Sequence, residues 1–251
     1  MLGKPVAKPI HFTDLIEKDR SGALEAVNLI EEKRCEKLKG RTCANGSRQR
    51  RFVQSEDDFS SPTPLLESIL MNLLVDAREA RDVAVVDIPG AYLHASFPPE
   101  KKVILKLSSV FVDIMCSMNP AFEEHVMYEK NRKGRDRKVL YIRVLWALYG
   151  CLESALLWYN LYSSTLVDLG FEINPYDCCI EKKMINGNQC TIIFYVDDNK
   201  ISHKDPRVVD QVIDSISEHF GELTVSRGKM HDFLGMNITI EDQLVHIEMR
   251  D

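Results

Sequence analysis

The chain has 251 residues, of which 45% are hydrophobic and 28% charged, the balance of an ordinary soluble globular protein. No stretch approaches the roughly 18 apolar residues of a membrane helix, and the N-terminus lacks the apolar core of a secretion signal. The net charge of −6 argues against a protein that only coats nucleic acid. We therefore expect a cytoplasmic or nuclear protein that is not secreted and has no membrane partner.

Basic residues nevertheless cluster in two segments, residues 39–51 and 129–138. Such patches can bind phosphates despite a negative total charge, although charge runs are more commonly solvated loops. The seven cysteines are odd in number and contain no CxxC pair, which favours reduced thiols over a disulfide framework or a zinc site.

The first predicted element in chain order is a surface helix over residues 14–38, where charged residues surround spaced apolar ones. Inside the basic segment that follows, Asn45-Gly46 is a turn or hairpin signal. The next helix is expected to start near Thr63-Pro64, a cap followed by a proline at the first helical position. Its predicted core face consists of Leu66, Ile69, Leu70, Leu73, Leu74 and Ala77.

Three strands are predicted next, at residues 83–88, 103–107 and 139–145. The clearest helix comes after them, because apolar residues recur at spacings of 4, 3, 4, 3, 4 and 3. This stripe consists of Leu148, Leu152, Ala155, Tyr159, Tyr162, Leu166 and Leu169, and Gly170 is a plausible C-cap.

The last third of the chain predicts hairpins around one helix. Asn186-Gly187 lies between two β-like runs, as a hairpin turn should. A helix over residues 206–220 follows, with Asp205 as its cap, and residues 233–240 and 244–249 form a final hairpin. The core face of this helix is expected to be Val208, Val209, Val212, Ile213, Ile216 and Phe220. Mixed helices and hairpins without regular βαβ alternation predict an α+β fold.

The most informative motif is an apolar run, residues 192–196, that ends in Asp197-Asp198. The run predicts a buried strand, so two carboxylates lie together at its end. Burying two like charges is costly unless a cation neutralises them, and hard cations such as Mg²⁺ prefer carboxylate oxygens. Most Asp-Asp pairs are nevertheless plain surface turns.

Asp87 also ends an apolar strand, residues 83–86. If the two strands are neighbours, Asp87, Asp197 and Asp198 converge at one end of a sheet, where three carboxylates can hold two divalent ions. Such a site catalyses in-line phosphoryl or nucleotidyl transfer. A metal-dependent nuclease could use the same three carboxylates.

Four ordered blocks, spread over residues 37–240, carry a family resemblance. They are Val86-Asp87-Ile88-Pro89-Gly90-Ala91-Tyr92-Leu93-His94, Leu148-Tyr149-Gly150 with Trp158-Tyr159, Tyr195-Val196-Asp197-Asp198, and Gly221-Glu222-Leu223 with Phe233-Leu234-Gly235. These blocks resemble the motifs of copia-type (Pseudoviridae-like) retrotransposon reverse transcriptases.

The resemblance implies a right-hand polymerase with fingers and palm, an antiparallel palm sheet with helices on one face, and a thumb that is largely missing. Residues 1–36 would be an N-terminal extension, 37–245 the fingers and palm, and 246–251 the truncated start of a thumb or connection. The wider family continues into RNase H and carries integrase, so this chain resembles a fragment of a polyprotein.

The same resemblance assigns roles to residues. Asp87, Asp197 and Asp198 would be catalytic and hold two Mg²⁺ ions, with Mn²⁺ as an alternative. Nucleotide binding would fall to Tyr92, Ile88, Lys39 and Arg41, with the Tyr92 ring excluding a 2′-hydroxyl. Template-primer support would fall to Tyr195, Val196 and Glu153. From the residues alone, Tyr92 is a core aromatic residue, and Tyr195 and Val196 are ordinary strand residues.

Two functions remain open. The first is RNA-directed DNA polymerase activity, with a template-primer and dNTPs as substrates and the rest of a polyprotein as partner. The second is an inactive or domesticated remnant that folds and at most binds nucleic acid. The second is motivated by residues 152–156, which are Leu-Glu-Ser-Ala-Leu where the family carries mostly polar residues, and by Asn199, where an apolar residue is commoner.

Overall fold

The computed structural model describes residues 7–32, 38–47, 49, 59–131 and 133–249. The chain forms two compact units, Met1–Ser60 with Ala95–Leu157, and Ser61–His94 with Trp158–Asp251. Both mix helices with mainly antiparallel sheets, which confirms the α+β class. Within this described part, no helix is both long and apolar enough to cross a membrane.

The strands are β1 (Ala7–Pro9), β2 (Leu24–Glu32), β3 (Leu38–Ala44), β4 (Asp82–Asp87), β5 (Val103–Ser108), β6 (Met127–Lys130), β7 (Asp136–Val144), β8 (Glu172–Ile173), β9 (Ile180–Ile185), β10 (Asn188–Tyr195), β11 (Asp198–His203), β12 (Thr224–Arg227), β13 (Met230–Phe233), β14 (Met236–Glu241) and β15 (Leu244–Met249). The helices are α1 (Glu17–Gly22), α2 (Leu66–Arg78), α3 (Val110–Met118), α4 (Ser154–Asp168) and α5 (Pro206–Phe220).

The first unit is built on a sheet of order β1-β7-β5-β2-β3, with β6 also paired to β7. Every pair in it is antiparallel except β2 with β5. Its core is aliphatic, and Val112 on α3 packs into it. Other core members are Leu24, Val103, Leu105, Leu107, Leu140, Ile142 and Val144.

The helix predicted over residues 14–38 is wrong. Among the described residues of this range, helical structure is limited to Asp14, which ends a 3₁₀ helix, and to α1. The chain then enters β2, whose backbone pairs with β3 on one side and β5 on the other. Sheet pairing outweighs the weak helical propensity of this segment. Residues 33–37, which join β2 to β3, lie outside the described residues, as do residues 48, 50 and 51 of the basic segment. Asn45-Gly46 is not the connection between β2 and β3, because it follows the end of β3.

A close backbone approach explains where α4 starts. The Ala44 amide donates to the Tyr149 carbonyl at 2.8 Å, and Gly150 has φ +89°. A Cβ atom at Gly150 would lie 1.9 Å from the Ala44 carbonyl oxygen, so only glycine fits. The Ser154 hydroxyl then donates to the Leu148 carbonyl at 2.8 Å. The helix predicted from Leu148 consequently begins only at Ser154.

The main sheet of the second unit has the order β12-β4-β11-β10-β9-β8 and is antiparallel throughout. The predicted hairpin turn at Asn186-Gly187 is confirmed. Both turn residues have positive φ, +49° and +77°, as a type I′ turn requires, and Ile185 pairs with Asn188 across it.

The predicted helix α5 is also confirmed. It spans Pro206–Phe220, the Asp205 side chain accepts from the Arg207 amide, and all six predicted core residues are buried. Helix α2 differs from its prediction, because it begins at Leu66 and leaves Leu66 and Leu74 exposed. The predicted final hairpin is confirmed, because β14 pairs antiparallel with β15. Its first strand begins at Met236 and not at Phe233, since Leu234-Gly235 separates β13 from β14.

Helices cover both faces of this sheet. On one face, Phe194 of β10 contacts the ring of Tyr162 from α4, which in turn contacts Phe220 from α5. On the other face, Ile193 packs with Leu73 of α2 and with β13–β14. The prediction of helices on one face is therefore wrong, because alternate strand residues are apolar on both sides.

Candidate active site

The Asp197-Asp198 motif forms a two-residue hairpin turn in the second unit. Tyr195 pairs with Asp198 across β10 and β11, so Val196 and Asp197 are the two central residues. Val196 has φ +54°, whereas Asp197 has no positive φ, the pattern of a type II′ turn. Glycine is usual at that first position, and a β-branched residue there costs about 1–3 kcal/mol of backbone strain. This turn is thus held in a strained shape.

Hydrogen bonds from three directions hold the strained turn. The Trp158 indole Nε1 donates to the Val196 carbonyl at 2.6 Å. The Asp197 carbonyl accepts from the Ile88 amide and from Asn199 Nδ2, both at 3.0 Å. Trp158 and Asn199 are both buried. The two central carbonyls are therefore fixed by groups from α4, from the end of β4 and from β11.

The three aspartates are neighbours in the sheet. Asp87 on β4 lies directly opposite Asp198 on β11, and Thr224 flanks Asp87 on its other side. Directly opposed residues of an antiparallel pair have Cβ atoms about 4.5–5.5 Å apart. Asp197 is the adjacent turn residue. The expected meeting of the three residues at one sheet end is found, while their catalytic and metal-binding roles stay predictions.

The corner of the sheet formed by Asp87, Asp197 and Asp198 is electrostatically unfavourable when no cation is bound. Burial, followed by the nearby charges of Asp197, Asp87 and Asp232, raises the pKa of Asp198 to about 6. Within the described part of the chain, no three His, Cys, Asp or Glu side chains already converge as ligands. The corner nevertheless offers hard carboxylate oxygens and an excess of negative charge, which suit a divalent cation such as Mg²⁺.

Tyr92 lies beside the turn, in a short 3₁₀ helix over Ala91–His94. Burial, then the charges of Asp197 and Tyr195, raises its pKa to about 12, so the phenol stays neutral at physiological pH. Ile88 is fully buried and Tyr195 is 37% exposed. Ile88 is thus a core side chain whose amide contacts the turn, and its predicted nucleotide contact has no exposed surface to use.

The other predicted site residues belong to the first unit. Lys39 and Arg41 lie on β3, where their backbones pair with Glu31 and Leu29. Glu153 forms an ion pair with Lys101. The negative charge that the sequence places at residue 153 is therefore compensated within the same unit.

Three residues of the site are not predicted from the sequence. Trp158 appears there only as part of a motif, yet it bonds to the turn. Asn199 appears only as a departure from the family, yet it bonds to the Asp197 carbonyl. Asp232 carries no sequence signal, and only the approach of β13 to the main sheet makes it a neighbour of Asp198.

The family comparison agrees with the motifs. The family model for reverse transcriptase (RNA-dependent DNA polymerase) matches residues 27–251. The chain belongs to this reverse transcriptase family. A retrovirus-related Pol polyprotein from transposon RE1 of Arabidopsis thaliana is 21% identical over 216 residues, which are 85% of this chain and 13% of that polyprotein. The resemblance to copia-type retrotransposon reverse transcriptases is confirmed by these two matches.

A solved structure is also similar to this reverse transcriptase domain. It is the telomerase of Candida albicans in complex with a TWJ fragment of telomeric RNA, at 12% identity and a TM-score of 0.45. The match covers 95% of this chain and 48% of the telomerase chain.

Proposed function

We propose that this chain is an RNA-directed DNA polymerase domain of a retrotransposon polyprotein, which joins dNTPs to a primer 3′-hydroxyl on an RNA template. The observation that carries the proposal is the direct pairing of Asp87 with Asp198, with Asp197 in the adjoining turn. In a member of the reverse transcriptase family, this pairing favours polymerisation over a metal-dependent nuclease.

Asp87, Asp197 and Asp198 would hold two Mg²⁺ ions, for which Mn²⁺ could substitute. The donor chemistry fits, because the corner supplies hard oxygens and the crowded carboxylates need positive charge. When bound, such ions activate the primer hydroxyl and stabilise the leaving pyrophosphate.

The protein's own contribution is positioning. Trp158, Ile88 and Asn199 fix the backbone of the turn, so the carboxylates of Asp197 and Asp198 are oriented before substrate arrives. The neutral ring of Tyr92, next to Asp197, would block a ribonucleotide 2′-hydroxyl. Tyr195 and Val196 would support the primer end.

Primer extension on an RNA template with Mg²⁺ and dNTPs tests the proposal. The full chain should extend the primer, and the double variant D197N/D198N should lose extension by about 10³-fold or more. D242N is the matched control, because Asp242 is an exposed aspartate in another hairpin turn. Extension that persists in D197N/D198N would refute the roles of these aspartates.

The role of Tyr92 has its own experiment. Y92V removes the ring and should raise incorporation of ribonucleotides relative to deoxyribonucleotides at least tenfold, while Y159F, a tyrosine on α4, should leave this ratio unchanged. An unchanged ratio in Y92V would assign Tyr92 to the core alone.

A second candidate is an inactive or domesticated remnant that binds nucleic acid. Residues 152–156 favour it, because Glu153 and Ser154 are engaged by Lys101 and Leu148 of the chain itself. Oligonucleotide binding without primer extension in either Mg²⁺ or Mn²⁺ would support this second candidate.

The remaining expectations are proposals of the same kind. Residues 37–245 would form fingers and palm, with Lys39 and Arg41 toward the triphosphate, and integrase and RNase H would be partners within a polyprotein. The relative from transposon RE1 is far longer than this chain, which spans 13% of it. We expect this chain to be located in the cytoplasm, in virus-like particles, or in the nucleus.

A further inference from the structure

Residues 129–131, 133 and 137 of the basic segment form one wall of a cleft of about 630 Å³ in the first unit. Four cations, Lys106, Lys130, Lys133 and Arg137, and two acids, Glu25 and Glu129, line it. Four positive and two negative side chains leave a charge of +2 in a chain whose net charge is −6. The volume lies within the range of ligand clefts.

Each of the two acids of the cleft already has a cationic partner. Lys106 Nζ donates to Glu129 at 2.5 Å, and the Tyr141 hydroxyl donates to it at 2.6 Å. Burial alone would raise the pKa of Glu129, but these hydrogen bonds lower it below its ordinary value. Glu25 lies 3.7 Å from the Arg137 guanidinium. Neither acid is therefore left to repel an anion with its full charge.

The loop that carries Lys133 is bonded to itself. Asn131 Oδ1 accepts from the amides of Lys133 at 2.9 Å and Arg135 at 3.0 Å. The Asn131 amide also donates to the Arg135 carbonyl at 2.8 Å. Because these bonds fix the loop backbone, an anion that binds there orders little further chain.

Two cations remain available to a ligand. Lys133 makes no ion pair with the described residues, and it is exposed. Lys130 pairs with Asp136 at 2.8 Å, but both side chains are more than half exposed. An exposed ion pair of this kind is weak, so a phosphate can replace the carboxylate at small cost.

We propose that this cleft binds the phosphates of a nucleic-acid strand, as a site separate from the aspartates. Its cations are spread along a wall and interleaved with acids. Cations spread along a wall suit a strand with one charge per nucleotide better than a compact triphosphate, which concentrates several negative charges in one place. The nucleic-acid identity of the polyanion rests on the proposed function.

Salt-dependent binding tests this inference. A labelled 12-nucleotide single-stranded RNA and the matching DNA are titrated with the full chain by fluorescence anisotropy at several NaCl concentrations. K130Q/K133Q should weaken binding of both strands several-fold. It should also reduce the slope of log K against log[salt] by about 0.7 per lost phosphate contact. K138Q/K229Q is the control, because it removes two exposed lysines outside the cleft.

The outcomes separate this inference from the proposed activity. If K130Q/K133Q and K138Q/K229Q bind alike, the cleft site is refuted, even if the wild type extends primers. If only K130Q/K133Q shows a lower affinity and a smaller slope of log K against log[salt], the cleft site is supported, even if no primer extension occurs. Inorganic tripolyphosphate that displaces the strand at equal phosphate concentration would refute it in favour of a small polyphosphate site.

Discussion

Glu129 in the first unit has surroundings opposite to those of Asp198 and Glu181 in the second. In the first unit, Glu129 accepts hydrogen bonds from Lys106 and Tyr141, and its pKa is lowered. In the second unit, Asp198 is crowded by other aspartates and Glu181 is buried against a hydroxyl, and both pKa values are raised. In its charged form Glu129 therefore stabilises the fold, whereas charged Asp198 and Glu181 destabilise it. Only at Asp198 would a bound cation offset that cost.

The largest effect is expected at Glu181. Its side chain is fully buried and accepts from the Ser163 hydroxyl at 2.8 Å, and burial raises its pKa from 4.5 to about 7. A pKa raised in the folded state means that stability is greatest below pH 4.5 and is lost as the pH rises to about 7. The loss amounts to about 3 kcal/mol.

E181Q should therefore remove most of this pH dependence. Urea unfolding followed by circular dichroism at pH 5 and pH 8 measures it, and the variant should be the more stable protein at pH 8. Parallel pH dependence in the wild type and E181Q would show that Glu181 is not the group responsible.

The next largest effect is expected at Trp158. A substitution there can distinguish the hydrogen bond that positions the turn from the packing of the ring. W158F keeps an aromatic ring beside Tyr162 but loses the Nε1 bond to the Val196 carbonyl. We expect a loss of about 2 kcal/mol in unfolding free energy and a larger relative loss of primer extension. Y159F is the control on the same helix, because it loses only the bond to the Cys178 carbonyl. Equal losses of extension in both variants would contradict positioning by Trp158.

A smaller effect on stability, opposite in sign to that of E181Q, is expected at Glu129. Its lowered pKa means that its contribution is present above about pH 4.5 and disappears as the pH falls through the lowered value. Because its side chain is 31% exposed, solvent screening limits the loss in E129Q to about 1 kcal/mol at pH 8. Urea unfolding at pH 8 and pH 3.5 measures it, with E124Q, an exposed neighbour, as control. A gain of stability in E129Q at pH 8 would contradict the comparison of the two units.

The smallest effect is expected at Asn199. N199L loses the hydrogen bonds to the Asp197 and Val86 carbonyls, but it also removes a buried Oδ1 that has no partner among the described residues. These two terms oppose each other, so the unfolding free energy should change by less than about 1 kcal/mol. The Ile88 amide still holds the Asp197 carbonyl. A loss above 3 kcal/mol in thermal or urea unfolding would show that Asn199 is essential to the turn.

Local sequence patterns predicted the structure correctly where the interactions that determine an element lie within a single segment. Helix α5 was predicted from its apolar spacing and its Asp205 cap, and the Asn186-Gly187 turn from the positive φ that this pair accepts. Helix prediction failed over residues 14–38, because β2 takes its partners from β3 and β5. It also failed at Leu148, where the approach of Gly150 to Ala44 displaces the helix start.

The sequence by itself determined the family, the α+β class and the three aspartates, because motifs and short-range periodicity are properties of neighbouring residues. Only the tertiary structure placed Asp87 opposite Asp198, brought Trp158 to the Val196 carbonyl and buried Glu181 against the Ser163 hydroxyl. It alone also assembled the cleft from residues 25, 45, 106, 129–131, 133 and 137. Burial, charge proximity and hydrogen bonding between distant segments depend on how strands are paired, and no local pattern encodes that pairing.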